Sequence, residues 1–155
     1  MQTDFDVILE QIKDYKFTVT FDDESLQPLT MDEPTPIGKG EGPNSSRLLA
    51  TAIGHCMSAS LLFCLNKSRI PMKLVSTRVH ATLARNEAGR WRVQAIKVKV
   101  TADPLNEVDR ERMRRCVEIF EDFCLVTQSV RKGIDVQVAV QTSQSASGIS
   151  PLSKS

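Results

Sequence analysis

Residues 45–66 read SSRLLATAIGHCMSASLLFCLN. Apolar side chains occupy almost every face of this run, with Arg47 and His55 as its only ionisable polar side chains, so a helix here must be surrounded by protein. Its ends are well marked. Asn44 or Ser45 can cap the first amides, Lys67 and Arg69 suit the negative end of the dipole, and Pro71 prevents extension. The remaining segments are then read as what covers this helix.

Downstream, Lys73 to Arg85 and Trp91 to Thr101 read as two strands joined by Asn86-Glu87-Ala88-Gly89-Arg90, a hairpin. Asp103 and Pro104 open a second helix that runs to about Phe123. Val108, Met113, Cys116, Val117 and Phe120 line one of its sides, and Arg110, Arg112, Arg114 and Glu118 lie largely elsewhere. Ser129 to Gly133 ends a short turn or helix, and Ile134 to Val140 alternates as a last strand. Residues 141–155 form a Ser-rich tail expected to be disordered.

Upstream, Asp32 to Pro43 holds three prolines and three glycines and must be a loop. Before it, Lys16 to Phe21 alternates, Asp22 to Ser25 supplies turn residues, and Leu26 to Met31 completes a second hairpin. Asp4 to Lys13 places Phe5, Ile8, Leu9 and Ile12 at helical spacing, while Val7 and the shortness of the run leave a strand open. The expected fold is α+β in a single domain over residues 1–140. An antiparallel sheet from both hairpins and the last strand packs on a central buried helix and a second, amphipathic one, and the hairpins argue against a doubly wound sheet. So apolar a central helix needs more cover than one chain supplies, which favours a homodimer.

At 155 residues and 41% hydrophobic, the chain is of one-domain size and has enough apolar content for a core. Its 20 basic and 19 acidic side chains create no large field, which argues against nucleic acid and anionic membrane as partners. Met1 to Glu10 carries Asp4, Asp6 and Glu10 rather than a basic region followed by an apolar run, and a cytoplasmic, soluble protein is expected. Four cysteines are too few for a secreted disulfide scaffold, and the Cys56/Cys64 and Cys116/Cys124 spacings do not match common zinc sites; no metal or cofactor is expected. In a reducing compartment such cysteines are either packing residues or redox-active ones.

Helix geometry limits which of them can meet. Cys56 and Cys64 on one straight helix lie roughly 12 Å apart along the axis, beyond the roughly 7 Å allowed between bridged α-carbons. The same argument weakens a Cys116 to Cys124 bridge if that helix continues, which leaves bridges across the two helices.

Two stretches carry a resemblance. Gly42-Pro43-Asn44-Ser45-Ser46-Arg47-Leu48-Leu49, followed by Ala50-Thr51-Ala52-Ile53-Gly54-His55-Cys56, and Phe123-Cys124-Leu125-Val126-Thr127-Gln128-Ser129-Val130 together resemble the OsmC/Ohr family from about residue 40 to residue 140. The resemblance implies an OsmC-like fold, an intertwined homodimer, and thiol-dependent reduction of small hydrophobic hydroperoxides. It selects Cys56 as the attacking and Cys124 as the resolving thiol, with an external dithiol as reductant. Cys64 and Cys116, outside the matched positions, are read as packing residues.

Peroxidases of that family activate the thiolate with a loop arginine paired to a glutamate ten residues ahead of the attacking cysteine. Here that position is Ser46, and Asp32 to Pro43 contains Lys39 but no arginine. Arg47 falls on the face of the helix opposite Cys56, and His55 points about 100° away, as a satisfied core or interface histidine would. The family's proline after the second cysteine is Leu125 here. These departures support an alternative, a non-peroxidase OsmC-like binding or sensing protein with a small-molecule pocket at the dimer interface.

Overall fold

The structure, a computed structural model, describes residues 2–141. Its elements run β1 (Val7–Lys13), β2 (Lys16–Phe21), β3 (Leu29–Met31), α1 (Ser45–Lys67), β4 (Met72–Arg85), β5 (Trp91–Pro104), α2 (Glu107–Arg112), α3 (Arg114–Ile119), a 3-10 turn (Phe120–Phe123) and α4 (Leu125–Lys132). The fold is α+β with antiparallel pairing throughout.

The ambiguity at Asp4–Lys13 resolves as strand. β1 pairs with β2 from Val7↔Phe21 to Lys13↔Lys16, and Asp14, at φ 52°, makes the tight turn between them. β3 pairs with the other side of β2, as the expected hairpin requires, and β1 extends that hairpin into a three-stranded meander. Every residue of β1 is exposed.

The loop after β3 is gathered by one carboxylate. Asp32 is buried and accepts the backbone N–H groups of Glu33 (2.8 Å), Lys39 (3.0 Å) and Glu41 (3.1 Å). Those bonds, the Glu41 N–H first, outweigh burial and hold its pKa below the ordinary 3.8. A carboxyl with a depressed native pKa contributes stability that is complete above its unfolded value and is lost as pH falls through the native one. Asp32→Asn is therefore expected to destabilise the protein at neutral pH and to flatten its loss of stability below about pH 4. Denaturant titrations of both proteins across that range provide the check.

α1 forms for the reasons read from its sequence. The Asn44 side chain caps the Arg47 N–H at 3.2 Å. At the other end Arg69 turns left-handed at φ 52°, and the Ile70 N–H bonds back to the Leu65 carbonyl. Ile53, Gly54, Met57, Leu61 and Leu65 form its buried stripe. Gly54 lets the helix lie close on β4: a Cβ there would sit 2.5 Å from Val79 Cγ2. Within one chain α1 is not enclosed on all sides as its composition predicts. Phe63 is 61% exposed and His55 is exposed, with no element among the described residues laid over them.

β4 and β5 form a separate, long two-stranded hairpin closed by the Asn86–Arg90 turn, with Gly89 at φ 71°. The core lies where α1 meets the chain from α3 to α4: Met57, Leu61, Leu65, Met113, Cys116, Phe120 and Cys124 pack together, flanked by Ile96, Val98 and Val100 of β5.

Three expectations need correction. The two hairpins do not join into one sheet, since the meander and the β4–β5 pair each keep open edges. The helix predicted from Asp103 to Phe123 is broken into α2, α3 and the 3-10 turn, because β5 continues to Pro104 and the helical hydrogen bonding shifts at Met113 and again at Phe120. Ile134–Val140 has the alternation of a strand but forms none; Ile134, Val136, Val138 and Val140 are all exposed, with no strand among the described residues beside them. The Ser-rich tail falls outside the described residues except for Gln141.

Candidate redox site

Cys56 lies midway along α1, and Cys124 lies at the junction of the 3-10 turn and α4, where its extended backbone (φ −78°, ψ 101°) makes it the residue before the first helical turn. Both thiols are free; Cys124 is fully buried and Cys56 partly exposed. The fold sets them next to each other, close enough that each sulfur shifts the titration of the other.

The first amides of α4 face this pair. The Val126 N–H donates to Cys56 Sγ at 3.5 Å, and the Cys124 S–H donates to Thr127 Oγ1 at 3.1 Å, a hydroxyl that can donate back once Cys124 is ionised. Helix N-terminal N–H groups favour negative charge on sulfur. Burial pushes the Cys56 thiol up, and its interaction with the neighbouring Cys124 works in the same direction, against the Val126 amide. At Cys124 burial also disfavours the thiolate. There, however, the bonds from Cys56, from the Thr127 hydroxyl and amide, and from Ser60 outweigh burial and lower its pKa. The two sulfurs titrate as a unit, with the first negative charge favoured on Cys124.

Thr127→Val keeps the side-chain shape and removes the hydroxyl that turns to donate to Cys124 when it ionises. Hydrogen bonds to charged groups are worth about 1.5–3 kcal/mol, so a drop in thiolate content of roughly tenfold or more is expected. An ultraviolet thiolate titration displaced to higher pH would show it, and an unmoved titration would sink the role of Thr127.

The other candidate residues lie elsewhere. Arg47 and His55 line a groove of about 900 Å³ along the other face of α1, between it and Thr77, Val79 and Ala81 of β4. His55 is exposed, so within this chain it is not a core histidine. Lys39 lies near Asp32 and Glu41. Among the described residues no lysine, arginine or histidine is hydrogen-bonded to either free sulfur. Nor does any group of three His, Cys, Asp or Glu residues there form a metal cluster.

Leu125 opens the first turn of α4, a position where proline is tolerated because its missing N–H has no helical partner. Leucine for proline thus leaves the turn intact. Sequence reading missed Ser60 and Thr127. Each is a hydroxyl about one helical turn beyond a cysteine, and that spacing was the available signal. A cleft of about 380 Å³ lies next to Thr127, walled also by Ile53 and Met57 of α1 and by Ile96 and Val98 of β5; neither sulfur lines it. Arg131 also lines it and pairs with Glu121 at 2.9 Å.

Cys64 and Cys116 are not the independent packing residues expected. They form a disulfide between α1 and α3, with α-carbons 5.6 Å apart. This is one of the cross-helix bridges that helix geometry left open.

Residues 38–139 match the profile of a family described as OsmC-like protein. No curated protein sequence matches the chain. Among solved structures, an OsmC-like protein from Mycoplasma pneumoniae superposes with a TM-score of 0.67 at 15% identity, covering 84% of this chain and 89% of that one. An organic hydroperoxide resistance protein OsmC from Legionella pneumophila gives 0.60 at 17% identity, covering 84% and 91%. The organic hydroperoxide resistance protein OhrB of Bacillus subtilis gives 0.58 at 18% identity, covering 86% and 94%. At these identities the likeness concerns the fold.

Proposed function

The chain belongs to the OsmC-like protein family, and from that premise we propose that it is a thiol-dependent redox protein that reduces organic hydroperoxides through a Cys56/Cys124 disulfide cycle. The observation that carries this reading is the pair of free thiols gathered at the N-terminus of α4, Cys124 as its cap and Cys56 accepting the Val126 N–H at 3.5 Å.

Cys56 is the partly exposed sulfur and Cys124 the buried one. As a hydroperoxide approaches Cys56, the Cys124 thiolate takes the Cys56 proton. The Cys56 thiolate then attacks the terminal oxygen of ROOH, the O–O bond breaks, and protonation of the leaving alkoxide gives ROH and Cys56–SOH. Cys124 attacks that sulfenic sulfur, forming the Cys56–Cys124 disulfide and releasing water. An external dithiol reduces the bridge and is itself oxidised to a disulfide. The α4 amides and the Thr127 and Ser60 hydroxyls take the place of the loop arginine. The cleft walled by Ile53, Met57 and Val98 suits an apolar R group.

The same reading makes the protein a cytoplasmic homodimer. The open side of α1, the fully exposed β1 and the unpaired Ile134–Val140 segment are apolar surfaces that a second copy would cover. Charge supports it: the meander region is rich in Asp and Glu, whereas between Met72 and Ala102 the lysines and arginines meet a single acid, Glu87. The absence of a cation bonded to either sulfur favours a second reading, a non-peroxidase binding or sensing protein that holds a small molecule in the cleft.

Thiol counting by mass spectrometry after one equivalent of cumene hydroperoxide separates the two. Rapid loss of the two free thiols to a Cys56–Cys124 disulfide supports the peroxidase, whereas survival of both would move the reading to the binding protein.

A further inference from the structure

The disulfide and the thiol pair span the same two segments in one antiparallel register. Cys64 follows Cys56 by eight residues on α1, and Cys116 precedes Cys124 by eight on the opposing chain, so Cys56 faces Cys124 and Cys64 faces Cys116. Between Cys116 and Cys124 lie only the end of α3 and the 3-10 turn, pieces too short to hold helical form without tertiary contacts. The bridge is the covalent anchor of that stretch on α1.

We propose that the Cys64–Cys116 disulfide is a second thiol–disulfide exchange centre, opened by small thiols at Cys64, and that its closure is what holds Cys124 buried against Cys56. Cys64 is partly exposed whereas Cys116 is 2% exposed, so an incoming thiolate reaches the Cys64 sulfur. Ser68 Oγ lies 3.6 Å from Cys116 Sγ, and its hydroxyl is placed to donate to Cys116 as that sulfur leaves. The Ser68 carbonyl is itself held by the Arg112 guanidinium at 2.9 Å.

In the first step RS⁻ attacks Cys64, the bond between the two protein sulfurs breaks, and the products are a Cys64–S–S–R mixed disulfide and a Cys116 thiolate. A second RS⁻ attacks the mixed disulfide at the R-bearing sulfur and gives RSSR and a Cys64 thiolate, so the protein gains two electrons. Direct relay to the Cys56/Cys124 pair is ruled out by the roughly 12 Å between Cys56 and Cys64 along the helix. The coupling is mechanical: once the bridge opens, the chain from α3 to the 3-10 turn is freed from α1 and Cys124 moves away from Cys56.

The test uses the full chain with its bridge closed, treated with millimolar 2-mercaptoethanol and followed by peptide mapping and by the alkylation rate of Cys124. Expected are an adduct on Cys64 rather than Cys116 and a rise in Cys124 alkylation on the order of tenfold or more, as a segment loses its restraint against local opening. Cys64→Ser/Cys116→Ser should alkylate at Cys124 as fast as the opened wild type. If that variant does not fold, the thiol-treated wild type gives the same reading. A bridge that resists the thiol in the native protein, or one that opens with Cys124 alkylation unchanged, overturns the proposal. Neither readout involves hydroperoxide, so failure here and failure of the peroxidase reading are distinct results.

Discussion

Cys56→Ser is expected to lose hydroperoxide consumption by a factor on the order of 10³ or more, the scale of removing a covalent nucleophile. A serine hydroxyl in the same place has neither a thiol's acidity nor its nucleophilicity toward the O–O bond. Cys124→Ser should behave differently. It should oxidise Cys56 once, more slowly because the base that takes the Cys56 proton is gone, and stop there as a sulfenic acid because the serine hydroxyl cannot condense with it; a sulfenic-acid-specific mass tag would record the product. The contrast is informative because Cys124 is the sulfur whose pKa the site lowers, whereas Cys56 is the one that solvent reaches. If Cys56→Ser retained activity while Cys124→Ser lost it, acidity rather than access would decide the roles, and the proposed order of attack would be reversed.

The second large effect is on stability. Leu65 has no exposed surface and lies in the core with Leu61, Met113, Phe120 and Cys116. Leu65→Ala removes three carbons and leaves a cavity, which costs about 2–5 kcal/mol depending on how far the surroundings collapse. Its neighbour in sequence, Cys64, is covalently tied to Cys116 on the opposing segment, so the two walls cannot relax independently. The upper part of that range is therefore expected, with a fall in melting temperature on the order of 10 °C. Thermal unfolding followed by circular dichroism measures it. A loss below about 1 kcal/mol would show that the walls do close.

Much of the fold was legible from period and punctuation. The apolar run 45–66, its Asn44 cap and Pro71 stop define α1 almost to the residue, and the alternation through Lys73–Arg85 and Trp91–Thr101 finds the long hairpin. The misses share a physical cause, since pairing is a property of neighbours and not of a strand's own pattern. Ile134–Val140 alternates as well as β2 does, yet pairs with no edge among the described residues. Likewise the stripe Val108, Met113, Cys116 and Phe120 has helical spacing, but no periodicity shows the breaks at Met113 and Phe120, where the chain bends to bring Cys124 onto α1. At the site, the two sulfurs come from the family resemblance, and helix geometry correctly sets Arg47 aside. The groups that tune the sulfurs are a backbone amide and two hydroxyls brought together by folding, and the chain's one trace of them is the placing of Ser60 and Thr127 about a helical turn beyond a cysteine.

The equal spacing of the two cysteine pairs also limits how this protein can be altered in length. A single residue inserted between Cys56 and Cys64 would rotate everything beyond it by about 100° on the helix. Either the thiols or the bridge could then stay in register, but not both. Deletion between Cys116 and Cys124 would have the same result from the other side. The Asn86–Arg90 turn, exposed at the far end of the long hairpin, has no such restriction. For a fusion tag or a circular permutation, that turn is the place to open the chain, and the two eight-residue intervals are the places where even one residue cannot be spared or added.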